Sequence, residues 1–60
     1  MMKVKVYLTG KGTEDDPIRP KLSQSVTFGV VKLEKDTAII EINKEDFEKI
    51  KDKAIEVIEE

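Results

Sequence analysis

The chain has no cysteine, no histidine and no tryptophan in its 60 residues. Without thiols there is no disulfide, and without thiolates or imidazoles the usual structural zinc sites are excluded as well. Both absences matter, because a domain this short buries only about 60% of the surface its unfolded chain exposes and commonly needs such a staple. Good local structure, ion pairs and association with a second chain are the devices left to it. Catalytic tools are scarce for the same reason. Ser23, Ser25, the threonines and the lysines are the remaining nucleophiles, and none has a base at a recognisable spacing. The sequence therefore points away from an enzyme, and it suggests no cofactor and no small-molecule substrate.

Long apolar runs are missing too. The longest, Ala38 to Ile40, has three residues, too few for a membrane span, and the opening MMKVKVYLTG alternates where a signal peptide would be continuously apolar. A cytoplasmic protein is expected. Gln and Asn occur once each, at Gln24 and Asn43, whereas charged residues make up 40% of the chain and are mostly Lys and Glu. That usage points to a thermophile. The net charge of −2 conceals a segregation: Met1 to Thr13 carries three lysines and no acid, whereas Glu41 to Glu60 holds eight acids against four lysines.

What is present reads as one α+β domain over residues 1–60, a small three-stranded, mostly antiparallel sheet with a C-terminal helix on one face. In residues 3–9, Val4, Val6 and Leu8 alternate with Lys3, Lys5, Tyr7 and Thr9, the period of a strand with one buried side. Residues 26–33 and 37–42 are rich in β-branched side chains and are separated by the polar turn Glu34-Lys35-Asp36, which predicts a hairpin. From Asn43 the period becomes helical: Phe47, Ile50, Ala54, Val57 and Ile58 share a face, with Ile55 on its flank, so a helix over 44–58 is predicted. Asn43 is suited to cap it, with Asp46 three residues on. Two features count against the far end. Asp52 and Glu56 repel at i,i+4, and Glu56, Glu59 and Glu60 sit at the negative end of the helix dipole.

One helix covers only one face of a sheet, yet the hairpin is apolar on both. Val26, Phe28 and Val30 oppose Val31 and Leu33, while Ala38, Ile40 and Ile42 oppose Ile39. Strands that lose their alternation in this way are normally covered on both sides. The leading expectation is a homodimer built on the sheet face, with Tyr7, Val31, Leu33 and Ile39 as contact residues; Phe28 and Val30 replace Val31 and Leu33 in the other hairpin register. Another protein is the second candidate partner. The alternative without a partner is that the connecting segment 10–25 folds back and covers this face with Ile18 and Leu22.

That segment, GKGTEDDPIRPKLSQS, is sixteen residues long and stiffened by Pro17 and Pro20. Arg19 is placed to staple it by bonding Asp15, Asp16 or a backbone carbonyl, or else to meet a partner's carboxylate or phosphate. Gly10-Lys11-Gly12-Thr13 lacks the spacing of a phosphate-binding loop and reads as a plain turn, the alternative being a looser anion nest of glycine amides with Lys11. Glu14-Asp15-Asp16 lacks the alternation of a calcium loop.

The same stretch resembles a pattern in small proteins of phages and thermophilic prokaryotes, in which a strand ending Tyr-Leu leads to G-x-G, a polar stretch and P-x-R-P before a β-hairpin. The matching residues here are Tyr7-Leu8, Gly10, Gly12, Thr13, Asp16-Pro17 and Arg19-Pro20, followed by the hairpin through Ile42. No activity, cofactor or partner attaches to that group. The resemblance implies a shared structural loop, and it makes a viral or proviral structural component, virion-associated, an alternative role. A further alternative is single-stranded nucleic-acid binding, by Lys3 and Lys5 beside Tyr7 with Lys32 nearby, since cations next to a stackable ring suit such strands. Against it stand the acidic balance and an aromatic share of only 5%.

Overall fold

In the computed structural model, which describes residues Met1–Glu60, the chain forms β1 (Met2–Thr9), β2 (Arg19–Pro20), β3 (Phe28–Leu33), β4 (Thr37–Ile42), α1 (Lys44–Ile50) and β5 (Ala54–Glu59). The fold is a small α+β unit, one curled antiparallel sheet with one helix. The sheet has five strands rather than the expected three. β1 is central. β4 pairs with it from Met2 to Tyr7, while its other side is shared by β5, against Lys3 to Val6, and by β2, against Leu8 and Thr9. β3 lies outside β4 and has no neighbour beyond it. Since β4 and β5 both run antiparallel to β1, they are parallel to each other, and α1 carries the chain from one side of β1 to the other.

The alternation seen in the first strand sets the core. Met2, Val4 and Val6 of β1 face Ile42, Ile40 and Ala38 of β4 on one side of the sheet, and Ile50 of α1 closes over them; these seven are the buried residues of the chain. Phe47, Phe28, Leu22 and Val26 pack around them, partly buried. At about 25 cal/mol per Å² of apolar surface, so small a core leaves little surplus over chain entropy, so each of its members matters. Asn43 does cap the helix: its side chain accepts from the Asp46 amide at 2.8 Å.

The helix ends at Ile50, not at residue 58. Lys51 to Lys53 form a turn, in which the Lys53 amide donates to the Ile50 carbonyl at 2.8 Å, and Ala54–Glu59 becomes a strand. Three physical terms favour this outcome. Ile55, Val57 and Ile58 are β-branched and fit a pleated surface better than a helix interior. The edge of β1 from Lys3 to Val6 otherwise lacks hydrogen-bond partners. The acids that would have crowded a helix C-terminus now meet lysines: Glu59 lies 3.7 Å from Lys3, and Glu56 sits across from Lys5.

The doubled apolar residues that blurred the sequence pattern are taken up by β-bulges. Val31 is the extra residue between Val30, opposite Ile40, and Lys32, opposite Ile39. Ile55 and Ile58 are the extra residues of β5. A bulge reverses which residues share a face with the partner strand. Phe28, Val30 and Leu33 consequently all lie across from core-side residues, and the outer face of β1 and β4 carries Lys3, Lys5, Tyr7, Thr37, Ile39 and Glu41.

The segment 10–25 is ordered by its own bonds and contains β2. The amides of Lys11, Gly12 and Thr13 all donate to the Asp16 carbonyl, at 3.0 to 3.2 Å. Its last part packs on the helix side, not on the outer face. Leu22 joins the core, Ile18 stays half exposed, and the Ser23 hydroxyl and the Gln24 amide donate to the Lys49 carbonyl, an orphan acceptor of the helix terminus.

Candidate functional site

β3 is the strand the sequence leaves least protected. The β3–β4 turn is closed by the Glu34 amide donating to the Thr37 carbonyl at 2.8 Å, which fixes β3 alongside β4 and nothing else. Its outer edge offers unpaired backbone groups, flanked by Val30, Val31 and Leu33 at 49, 51 and 63% exposure. Natural edge strands are usually guarded by charge, proline or repeated bulges. β5, the opposite edge, has two bulges and the acids Glu56 and Glu59. β3 has one bulge and a single charge, Lys32, which makes no ion pair.

The four expected contact residues do not share one face. Tyr7, opposite Thr37, and Ile39, opposite Lys5, lie on the outer side, Tyr7 being 57% exposed and Ile39 half-buried. Val31 sits in the bulge between the two sides, and Leu33 lies across from Ala38 on the helix side. Phe28 and Val30, the other register's pair, oppose Ile42 and Ile40 there too. β3 thus brings Phe28, Val30, Val31 and Leu33 to one edge, with Ile39 behind it and Tyr7 two strands away.

The basic residues of β1 are largely answered from within. Lys3 pairs with Glu59, and Lys5 with Glu34 at 3.5 Å. The cations that sequence reasoning overlooked are Lys21 and Lys53, which with Tyr7, Ile55 and the carboxylate of Asp52 line an open recess of about 270 Å³ where the edge of β1 passes from β5 to β2. Only the partnering of β1 with β5 creates that recess, so no local motif signals it.

The loop residues act on one another. Arg19 Nη1 donates to Asp16 Oδ1 at 2.8 Å and to the Pro17 carbonyl at 2.7 Å, while Asp15 is exposed and outside this bond set. Three successive amides already converge on the Asp16 carbonyl, so the concavity that an anion would occupy is filled by the chain itself. No three His, Cys, Asp or Glu side chains are grouped to hold a metal ion. Replacing Arg19 by alanine removes two exposed hydrogen bonds, so a loss of about 0.5–1 kcal/mol is expected. A thermal melt checks it, with a midpoint lower by about 2–8 °C.

No helix is long and apolar enough to cross a membrane. No protein-family model matches the chain, and neither does any curated protein or solved structure with which it was compared.

Proposed function

We propose that this chain is a non-enzymatic protein-interaction module that self-associates through its sheet, with β3 as the contacting strand. The observation that carries the proposal is the apolar, unpaired edge of β3, where Val30, Val31 and Leu33 are each about half exposed or more. Edge pairing supplies main-chain hydrogen bonds, and burial of these side chains supplies the apolar gain. The small seven-residue core adds a motive, since association offsets the marginal stability of a short domain. In an assembly, cellular or viral, such a module acts by joining copies.

Sedimentation equilibrium across a wide concentration range tests the proposal. A concentration-dependent dimer is expected, and Leu33→Asp should weaken it about tenfold or more while leaving the melt of the monomer nearly unchanged, because Leu33 is 63% exposed. Ile39→Asp should weaken it less, from behind the edge. A monomer at the highest concentration defeats the proposal. The Tyr7 recess favours a second reading, a short single strand stacking on the ring with its phosphates near Lys21 and Lys53. Salt-sensitive binding of an oligonucleotide, lost in Tyr7→Ala, would support it.

A further inference from the structure

Gly29 has no conformational reason to be glycine. Its backbone φ is not positive, and a Cβ built on it meets nothing within 4 Å, so any small side chain would fit the isolated chain. A glycine inside a strand otherwise marks a bulge or the close approach of another group, and the bulge of β3 is centred on Val31 instead.

Face matching then restricts how β3 can pair with a second β3 in antiparallel, two-fold fashion. Directly opposed residues must point to the same side of the sheet. Phe28 and Leu33 lie across from the core-side residues Ile42 and Ala38, whereas Gly29 and Lys32 lie across from the outer-face residues Glu41 and Ile39. A register that sets Phe28 against Leu33 of the second copy also sets Gly29 against its Lys32, and both pairs match. Shifting it by one residue either way sets Lys32 against Phe28 or Val30, on the wrong face. In an unbulged strand Phe28 and Leu33 would point to opposite sides, so the bulge at Val31 is what permits this register.

Charge agrees with it. Across the outer face run Glu59, Lys3, Glu41 and Gly29, each opposite the next, and Lys3 is ion-paired to Glu59. Glu41 makes no ion pair within the chain, and neither does Lys32. With Gly29 bare, Lys32 of a second copy in this register would lie over it, about two strand spacings, or ~10 Å between backbones, from Glu41, a gap that extended Lys and Glu side chains together can span.

We propose that two copies join β3 to β3 with Gly29 opposite Lys32 of the second copy, so that this lysine crosses the glycine to pair with Glu41. The proposal rests on the self-association proposed above. In this dimer Leu33 of each copy covers Phe28 of the other, extending both cores, and Val30 meets Val31 at the two-fold axis.

The test mixes two charge reversals. Lys32→Glu alone places two acids together at both ends of the interface, and Glu41→Lys alone places two lysines there. Each variant should dimerise about tenfold more weakly than the parent. An equimolar mixture of the two has opposite charges at both ends, and sedimentation should show the dimer restored as a heterodimer to within about threefold. Neither variant repairs the other inside one chain, so recovery on mixing reports a contact between chains. Gly29→Val keeps the test valid should a charge variant fold poorly: at a dilution where the parent is monomeric its melt should match or exceed the parent's, while at higher concentration its dimerisation falls about tenfold or more. If the parent dimerises but the mixture gains nothing, or Gly29→Val dimerises normally, this register is wrong and the self-association stands. A monomeric parent defeats both.

Discussion

Replacing Ile50 by alanine is expected to unfold much of the protein at 37 °C. Ile50 is wholly buried, is the last residue of α1 and is the only residue of that helix fully inside the core. Truncation removes three carbons from a site bounded by strands that cannot collapse inward, and such changes cost about 2–5 kcal/mol. A 60-residue domain has roughly 3–9 kcal/mol in total, so most of the stability disappears. A thermal melt of the dilute protein should fall by about 10 °C or more, since each kcal/mol moves the midpoint of so small a domain by about 4–8 °C. Ile58→Ala supplies the contrast. A helix running to residue 58 puts Ile58 on the same buried face as Ile50, whereas in β5 it is a bulge residue 44% exposed, and its loss should cost about 1 kcal/mol or less. Equal costs at the two positions would mean that residues 54–59 do not form the strand.

That contrast marks where the sequence was readable and where it was not. β1 and β4 were legible because Val4 and Val6, and Ala38, Ile40 and Ile42, follow a strict period of two that survives in the structure as burial. The start of α1 was legible because an N-cap is a local device and Asn43 has it. β5 was not, because Ala54, Val57 and Ile58 fit a helical stripe as well as they fit a strand with two bulges. The unpaired side of β1 decides between them, and that strand is some fifty positions away along the chain. The candidate site divides in the same manner. Tyr7 and Ile39 kept their expected outer face, but the bulge at Val31 moved Leu33 to the helix side, and a bulge has no signature in a run such as Gly-Val-Val-Lys. The lysines of β1 looked free because their acids, Glu34 and Glu59, come from distant segments.

The loop yields the other large effect, Gly10→Ala. Gly10 has φ +106°, a conformation that side chains rarely adopt, and a Cβ there would overlap the Pro17 carbonyl oxygen and come within 3.2 Å of Arg19 Nη1. The carbonyl does not yield easily, since it is backbone and already accepts from Arg19, whereas the Arg19 guanidinium is the movable end of an exposed side chain. Backbone strain of about 1–3 kcal/mol and overpacking of similar size add at the same point, so a total near 3 kcal/mol is expected. Gly12→Ala should cost only about 1 kcal/mol, because φ is +79° but the nearest atom, Ile18 Cγ1, is 3.6 Å from the new Cβ. Gly29→Ala should be neutral or stabilising by up to about 1 kcal/mol, being unstrained and uncrowded. Denaturant titration of the three variants at a concentration where the parent is monomeric should give that order. The comparison bears on function as well as on folding. Loosening the loop at Gly10 releases β2 and the Leu22 contact that covers the helix-side core, but leaves β3 outside β4 where it was. Folded Gly10→Ala protein should therefore associate with nearly the parent's affinity, whereas Gly29→Val should fold well and associate poorly. A Gly10→Ala variant that is folded yet no longer associates would assign the contact to the loop and take it away from the edge strand.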